Sequence, residues 1–289
     1  MTIPTATTIL ELKTRLASWR EDKLTIGLVP TMGFLHEGHQ SLIRKAASDN
    51  DRVVVSIFVN PTQFAASEDL DTYPQDLAKD QIKCLEAGAD LIFAPSVSEM
   101  YPSNFNTYVT TSGISDLLEG KSRPTHFRGV TTIVTKLFNL VQPNKAYFGQ
   151  KDAQQVAVLK QMVHDLNQNL DLVVCPIIRE SDGLAKSSRN TYLSTEARQQ
   201  AIILSQALTL AETLISDGEI KTSNIIAALE TRIKTQSLTK IDYVKIVDPT
   251  TLQDINIIEH DVLLLLAVYV DQTRLIDNKI IHLEASPCY

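Results

Sequence analysis

Val29-Pro-Thr-Met-Gly-Phe-Leu-His-Glu-Gly-His39 is the stretch whose reading decides the fold. An apolar run, Leu24 to Val29, leads into it. A polar turn containing Gly33 and Gly38 follows, and Gln40 to Ala47 reads as the opening of a helix. Strand, glycine turn and helix start together make a place where backbone N–H groups are expected to point at an incoming anion. His36 and His39 stand where that anion would sit. Histidine side chains can donate to phosphate oxygens as negative charge grows on them, and the glycine between them would let a ligand approach the backbone. Two solvated histidines beside a turn fit four residues equally well. A metal shared by the pair is a third reading, but no further Cys, His or acidic ligand has an evident spacing nearby.

Working outward, Val53 to Val59 is nearly all β-branched and apolar, as expected of a strand buried on both faces of a parallel sheet, and it ends at Asn60-Pro61. Asp90–Ala94, Lys145–Phe148 and Leu170–Ile178 read as further short strands. Helices are expected between them at Ile9–Trp19, His39–Ser48, Pro74–Ala87, Val130–Val141 and Asp152–Leu166, with Gln63–Tyr73 and 104–129 irregular. This alternation predicts an α/β fold: a Rossmann-like parallel sheet with helices on both faces and ligands at the carboxyl ends of the strands. The pattern changes near Asp182. Helices at Thr195–Ile215 and Ser223–Thr235 precede strands at Asp242–Val247, Val262–Val270 and Ile280–Leu283, giving a smaller α+β C-terminal domain. The expected division is 1–183 and 184–289.

The chain of 289 residues carries a formal net charge of −7 and no long basic run, which argues against nucleic acid or an anionic membrane as the main partner. Met1–Thr8 lacks the pattern of a secretory signal, and Val262–Val270 is too short to span a bilayer. Cys84, Cys175 and Cys288 are odd in number and widely spaced, so they read as ordinary thiols in a reducing compartment.

Two more strand-to-helix turns suit phosphate. In Gly149-Gln150-Lys151-Asp152, Lys151 can set a positive charge over phosphates. Asp152 can cap the helix, hold a ribose or bind a metal. In Lys186-Ser187-Ser188-Arg189, two hydroxyls lie between two cations, as in a phosphate clamp or a polar linker. The amides of Asn60, Gln63, Gln154 and Gln155 could recognise hydroxyls and carboxylates without adding charge. The three phosphate-suited stretches follow different strands and are expected to converge at one sheet edge, which makes nucleotide binding the leading reading.

The His-x-Gly-His turn with a later Ser-rich basic loop resembles the adenylate-forming nucleotidyltransferase superfamily. Longer stretches resemble the pantoate–β-alanine ligase (pantothenate synthetase) family: Val29–His39, Ser56-Ile-Phe-Val-Asn-Pro61 with Gln63-Phe64, His126-Phe-Arg-Gly-Val130, Lys136–Pro143, Ser187-Ser-Arg-Asn190 and Arg274-Leu-Ile-Asp-Asn278. The resemblance implies an AMP-forming ligase that uses ATP, with Mg²⁺, to join (R)-pantoate and β-alanine through pantoyl-adenylate. It also implies a cytoplasmic homodimer. By the same resemblance Met32, Gly33, Phe34, Leu35, His36, Glu37, Gly38 and His39 cradle ATP, with His36 and His39 on phosphate and His39 as proton donor. Gly149, Gln150, Lys151 and Asp152 contact the nucleotide, Lys151 on phosphate. Ile178 lines the adenine region, and Lys186, Ser187, Ser188 and Arg189 close on the triphosphate. Gln63 and Gln155 hold pantoate, and Asn60 positions substrate or metal. The family commonly has Leu or Met where this chain has Lys186, which would add a phosphate contact. A transferase acting on a phosphate ester would instead need cations around its second substrate, and a nucleotide-binding regulator would show no turnover.

Overall fold

The computed structural model describes residues 2–65, 68 and 70–283; Cys288, and parts of the expected 63–73 loop, lie outside them. The chain forms two compact units, Met1–Gln150 with Gln154–Ile178, and Lys151–Ala153 with Arg179–Tyr289. In chain order the first contains β1 (Thr5–Ala6), α1 (Ile9–Glu21), β2 (Ile26–Thr31), α2 (Glu37–Asp49), β3 (Arg52–Ile57), α3 (Leu77–Ala87), β4 (Leu91–Phe93), α4 (Val97–Met100), α5 (Leu118–Ser122), α6 (His126–Val141), β5 (Lys145–Gly149), α7 (Ala153–Asp165) and β6 (Asp171–Cys175).

The six strands form one parallel sheet in the order β1-β4-β3-β2-β5-β6. The chain builds outward from β2 through β3 to β4 and then returns to the other side of β2, so the strand order reverses between β2 and β5. That reversal is where open α/β sheets bind ligands. β2 pairs with β5 only at Gly27 and Leu28. Pro30, with no N–H to donate, follows where β5 has ceased to pair.

The valine run of β3 shows why the sheet is covered twice. Val54 packs with Leu12 and Leu16 of α1, Leu137 of α6 and Leu159 of α7. Val53 and Val55 pack with Ile43 and Ala46 of α2 and Cys84 and Ala87 of α3. Alternate residues thus enter opposite layers, as a period of two requires, and each fully buried valine contributes about 1.5–3 kcal/mol. Cys84 and Cys175 are buried free thiols, and burial pushes Cys84 up to about 12.

In the second unit, α8 (Thr195–Ala201), α9 (Ile203–Ser216) and α10 (Thr222–Ile233) precede an antiparallel sheet of β7 (Thr239–Val247), β8 (Val262–Val270) and β9 (Thr273–Ile281) in that order. Leu204, Leu208, Ile225 and Leu229 pack against Leu264, Leu266 and Val268 of β8.

Several boundaries differ from the sequence expectation. The helix expected from Pro74 starts at Leu77 because Asp76 caps it, accepting the Lys79 N–H at 3.1 Å. The strand expected to Ile178 stops at Cys175, before the donor-less Pro176. The helix expected over Thr195–Ile215 is two, parted at Ile202. The last strand begins at Thr273 rather than Ile280, because its first half is polar and its buried Asp277 and Asn278 are satisfied by partners rather than marked by apolarity.

Candidate active site

In parallel strands that share one direction, β2, β3 and β5 release their loops at the same sheet edge. Thr31 opens into Met32–His39, Ile57 into Asn60–Gln63, and Gly149 into Gln150. The histidine turn is built from two successive left-handed residues, Gly33 (φ +86°) and Phe34 (φ +49°). The turn brings the Phe34 and Leu35 N–H groups to one side as a concave nest suited to an anion.

Two of the turn's N–H groups are engaged within the protein. Asp80 of α3, 1% exposed, fills the nest: its carboxylate accepts from Phe34 N–H at 2.8 Å and Leu35 N–H at 2.7 Å. Gly33 N–H donates to Thr31 Oγ1 at 3.2 Å, and Lys83 Nζ donates to the Leu35 carbonyl. Burial raises the Asp80 carboxyl above its ordinary value despite those two bonds and the nearby Lys83.

The histidines lock each other. His36 caps α2, its Nδ1 accepting Gly38 N–H at 3.1 Å; His39 Nδ1 accepts His36 N–H at 3.2 Å. The ring centroids lie 4.1 Å apart. Since both Nδ1 atoms accept, the proton of each neutral ring sits on Nε2, making Nε2–H the donor. What approaches Gly38 closely is the His36 ring itself: a Cβ there would lie 2.8 Å from His36 Cε1.

Beside this turn stands the amide cluster. Gln63 Nε2 donates to Met32 Sδ at 3.1 Å, so Gln63 adjoins the histidine turn. Asn60, 1% exposed, uses its whole amide: Nδ2 donates to Gln63 Oε1 (3.0 Å) and the Gly129 carbonyl (3.1 Å), while Oδ1 accepts from Thr62 Oγ1 (2.9 Å) and Tyr101 Oη (2.8 Å). It braces Gln63. Gln154 is likewise committed, tying α7 to Ile114, Leu117 and Glu119, whereas Gln155, next along α7, is half-buried.

Two residues to which the sequence assigns no role, Arg123 and His126, fix the backbone of Gln63. His126 Nδ1–H donates to the Gln63 carbonyl at 2.9 Å, Arg123 Nη2 donates to it at 3.4 Å, and Arg123 also pairs with Glu68. Burial, with Arg123 beside it, lowers His126 from 6.5 to about 4. The native state therefore holds a neutral ring that the unfolded chain would protonate below about 6.5. The resulting stability is complete above pH 6.5 and is lost as pH falls through about 4. Unfolding midpoints of the native chain should drop more steeply between pH 6.5 and 4 than those of His126→Asn, which keeps an N–H donor but not the titration. Parallel curves would refute this.

In the second unit, Lys151 lies in the 3₁₀ turn Gln150–Asp152, and its carbonyl accepts from Asn278 Nδ2 at 2.9 Å. Asp277 accepts from Arg179 Nη1 and Nη2 at 2.7 and 2.9 Å and from Asn278 N–H at 2.8 Å; Arg179 Nη1 also donates to the Gly183 carbonyl at 3.0 Å. One ion pair therefore anchors both Lys151 and the hairpin that leads to Lys186. Lys186 Nζ pairs with Glu180 at 3.1 Å. Ser187 Oγ accepts Arg189 N–H at 3.2 Å, shaping the turn that continues through Ser188. Ile178 is half-buried at the end of the first unit. Among the described residues no helix is long and apolar enough to cross a membrane, and no group of three His, Cys, Asp or Glu side chains is placed to hold a metal ion.

A six-stranded parallel sheet covered on both faces, with a His-x-Gly-His turn at its switch point, defines a Rossmann-like α/β protein carrying a second, antiparallel unit. The chain belongs to the pantoate–β-alanine ligase family, whose family model matches residues 4–280. It is 55% identical over 271 residues to the pantothenate synthetase of Enterococcus faecalis, covering 94% of this chain and 96% of that protein. It is 55% identical over 274 residues to that of Acetivibrio thermocellus, covering 95% and 98%. The solved pantothenate synthetase of Thermus thermophilus matches with a TM-score of 0.92 at 42% identity, over 96% of this chain and 99% of that one. The pantoate–β-alanine ligase of Francisella tularensis, solved with β,γ-ATP and β-alanine, matches at 0.81 and 37% over 96% and 97%.

Proposed function

We propose that this chain joins (R)-pantoate to β-alanine with ATP through pantoyl-adenylate. The observation that carries the reading beyond family membership is the contact of Gln63 with Met32. It sets uncharged amides beside the histidine turn, as a hydroxy acid requires and a second phosphate ester would not. A pantoate carboxylate oxygen attacks the α-phosphorus; the new P–O bond forms as the bond to pyrophosphate breaks. The β-alanine amine then attacks the acyl carbon, an amide forms, AMP leaves, and the amine gives up a proton.

A carboxylate is already nucleophilic, so the first step calls for alignment and relief of charge rather than a strong base. His36 and His39 would donate Nε2–H to the phosphates, His39 where pyrophosphate departs. Gln63 and Gln155 would hold pantoate, with Asn60 acting through Gln63. Met32–His39, Gly149–Asp152 and Ile178 would take up the nucleotide. Lys151, Lys186, Ser187, Ser188 and Arg189 would add charge and hydroxyls, Lys186 in competition with Glu180. Mg²⁺ would supply charge neutralisation on the triphosphate, and its preference for phosphate and water oxygens leaves Asp152 as the chain's own candidate ligand. Residues 1–183 would form the ATP- and pantoate-binding domain and 184–289 the lid. The cytoplasmic homodimer implied by the resemblance belongs to the same proposal.

The deciding assay is pyrophosphate release that needs both ATP and pantoate, followed by AMP release when β-alanine is added. ATP binding without turnover would leave only a regulator. Within that assay Gln155→Ala should raise the pantoate KM by ~10-fold, the loss of one hydrogen bond to a charged group, with little change for ATP. Equal effects on both substrates would remove Gln155 from the pantoate site.

A further inference from the structure

The nest in the histidine turn already holds an anion, and that anion belongs to the protein. Two consecutive N–H groups that follow Gly33, those of Phe34 and Leu35, converge on one buried carboxylate at 2.8 and 2.7 Å. They are therefore not what a phosphate meets here. The same helix grips the other side of the peptide, Lys83 donating to the Leu35 carbonyl, and Gln40 of α2 donates to the Lys83 carbonyl at 3.4 Å. The turn continues directly into His36, and His36 and His39 are fixed to each other through backbone N–H groups.

We propose that Asp80 is a positioning residue for the reaction: its carboxyl group fills the turn's N–H nest as a built-in acceptor, and with Lys83 it makes α3 the fixture from which both proposed catalytic histidines are held. This inference rests on the ligase reading for its kinetic consequence and on the geometry alone for its structural one.

Keeping a carboxylate out of water costs stability, as its upward displacement shows. An apolar side chain would leave the Phe34 and Leu35 N–H groups without this acceptor, so the carboxylate is explained by what it holds. A phosphate-binding nest would need its N–H groups for the ligand; here they are used to set φ +86° and φ +49° in succession, a conformation that Phe34 has no intrinsic reason to adopt. Asn in place of Asp80 offers one acceptor oxygen for two N–H groups and turns its own NH₂ against the second. The left-handed pair then loses half of its support, and the cap formed by His36 shifts with it.

The test is Asp80→Asn in the full chain, read three ways. The thermal unfolding midpoint should fall only modestly, because the lost acceptor is partly offset by removal of the buried carboxylate, so that the variant remains folded under assay conditions. The kcat of pantoate-dependent pyrophosphate release should fall at least ~10-fold with the pantoate KM within ~2-fold, as displaced but intact donors predict. The ring ¹⁵N resonances of His36 and His39, which in the native chain should report acceptor Nδ1 and protonated Nε2, should shift toward a mixture of tautomers. Unchanged kcat overturns the proposal, as does lost activity with unchanged ring resonances. Should Asp80→Asn fail to fold, Lys83→Met, at a half-buried position, is read by the same two criteria and should show the same signature at smaller size. If the native chain releases no pyrophosphate, the ligase reading fails, and the ring resonances of the variants still decide whether Asp80 holds the turn.

Discussion

His39→Ala should lower pantoate-dependent pyrophosphate release by at least ~10²-fold while the protein remains folded, the usual consequence of removing one donor from a site where charge develops. The other ring nitrogen decides which atom donates. His39 Nδ1 accepts the His36 N–H at 3.2 Å, which leaves Nε2 as the donor of a neutral ring. Alanine deletes that donor, which the proposed mechanism sets against the phosphate. It also deletes an acceptor from a helix N-terminus, worth about 1 kcal/mol, a small share of the stability of a domain. Function and fold therefore part company. His39→Gln separates the two roles further: its amide can donate to phosphate but cannot reproduce the ring's two-sided geometry, so it should recover only part of the lost rate. Measured by rapid-quench pyrophosphate release with circular dichroism as the fold control, near-native turnover by His39→Ala would remove the residue from the chemistry. A loss that followed unfolding would leave it a structural role alone.

The sequence made one half of this geometry readable and hid the other. Val53 to Val55 announced a strand buried on both faces, because apolarity without alternation has few other uses in an α/β chain, and Gly33 and Gly38 marked the turn. From β2, β3 and β5 the parallel sheet follows, and with it the edge at which the loops emerge. Asp80 was invisible for a physical reason. It lies 45 and 46 residues from its partners on a helix of ordinary amphipathic pattern, where an acid near the helix start looks like one more solvated side chain. Only packing α3 against the turn reveals it as an anion without water. Asn60 shows the other kind of hidden contact. An amide after a strand suggests a ligand contact, but four internal hydrogen bonds exhaust it, and what it determines is the place of Gln63. Asp277 and Asn278 broke the rule that strands are found by apolarity. Their burial is offset by Arg179 and by the Lys151 carbonyl, partners about a hundred residues distant or more. In each case the missing information was a long-range polar contact, which no local periodicity encodes.

Gly129→Ala tests the most tightly fitted of those contacts and should be as damaging as loss of a catalytic side chain. Alanine normally improves a helix relative to glycine by up to about 1 kcal/mol. Here α6 runs against the Pro61–Gln63 turn at backbone distance: a Cβ on residue 129 would stand 2.4 Å from the Thr62 carbonyl oxygen, 2.5 Å from its carbon and 2.6 Å from Gln63 Cα. None of these atoms belongs to a flexible side chain, so the turn or the helix must retreat by about an ångström to reach ordinary contact distances, and overpacking of that kind costs about 1–3 kcal/mol. The overlap outweighs the propensity gain, and the melting temperature should fall. The functional loss should be larger still. Gly129 also offers its carbonyl to Asn60, which holds the Gln63 amide, while His126, one turn earlier on α6, holds the Gln63 carbonyl. A shift of α6 thus displaces Gln63 at both ends, and a misplacement of about 1 Å in a substrate-positioning group can cost ~10²-fold in rate. ATP binding, measured separately by calorimetry, should be nearly unaffected, whereas pantoate-dependent pyrophosphate release should collapse with the pantoate KM raised. A stabilised Gly129→Ala with native pantoate kinetics would show that the turn can give way freely and that α6 does not set the position of Gln63.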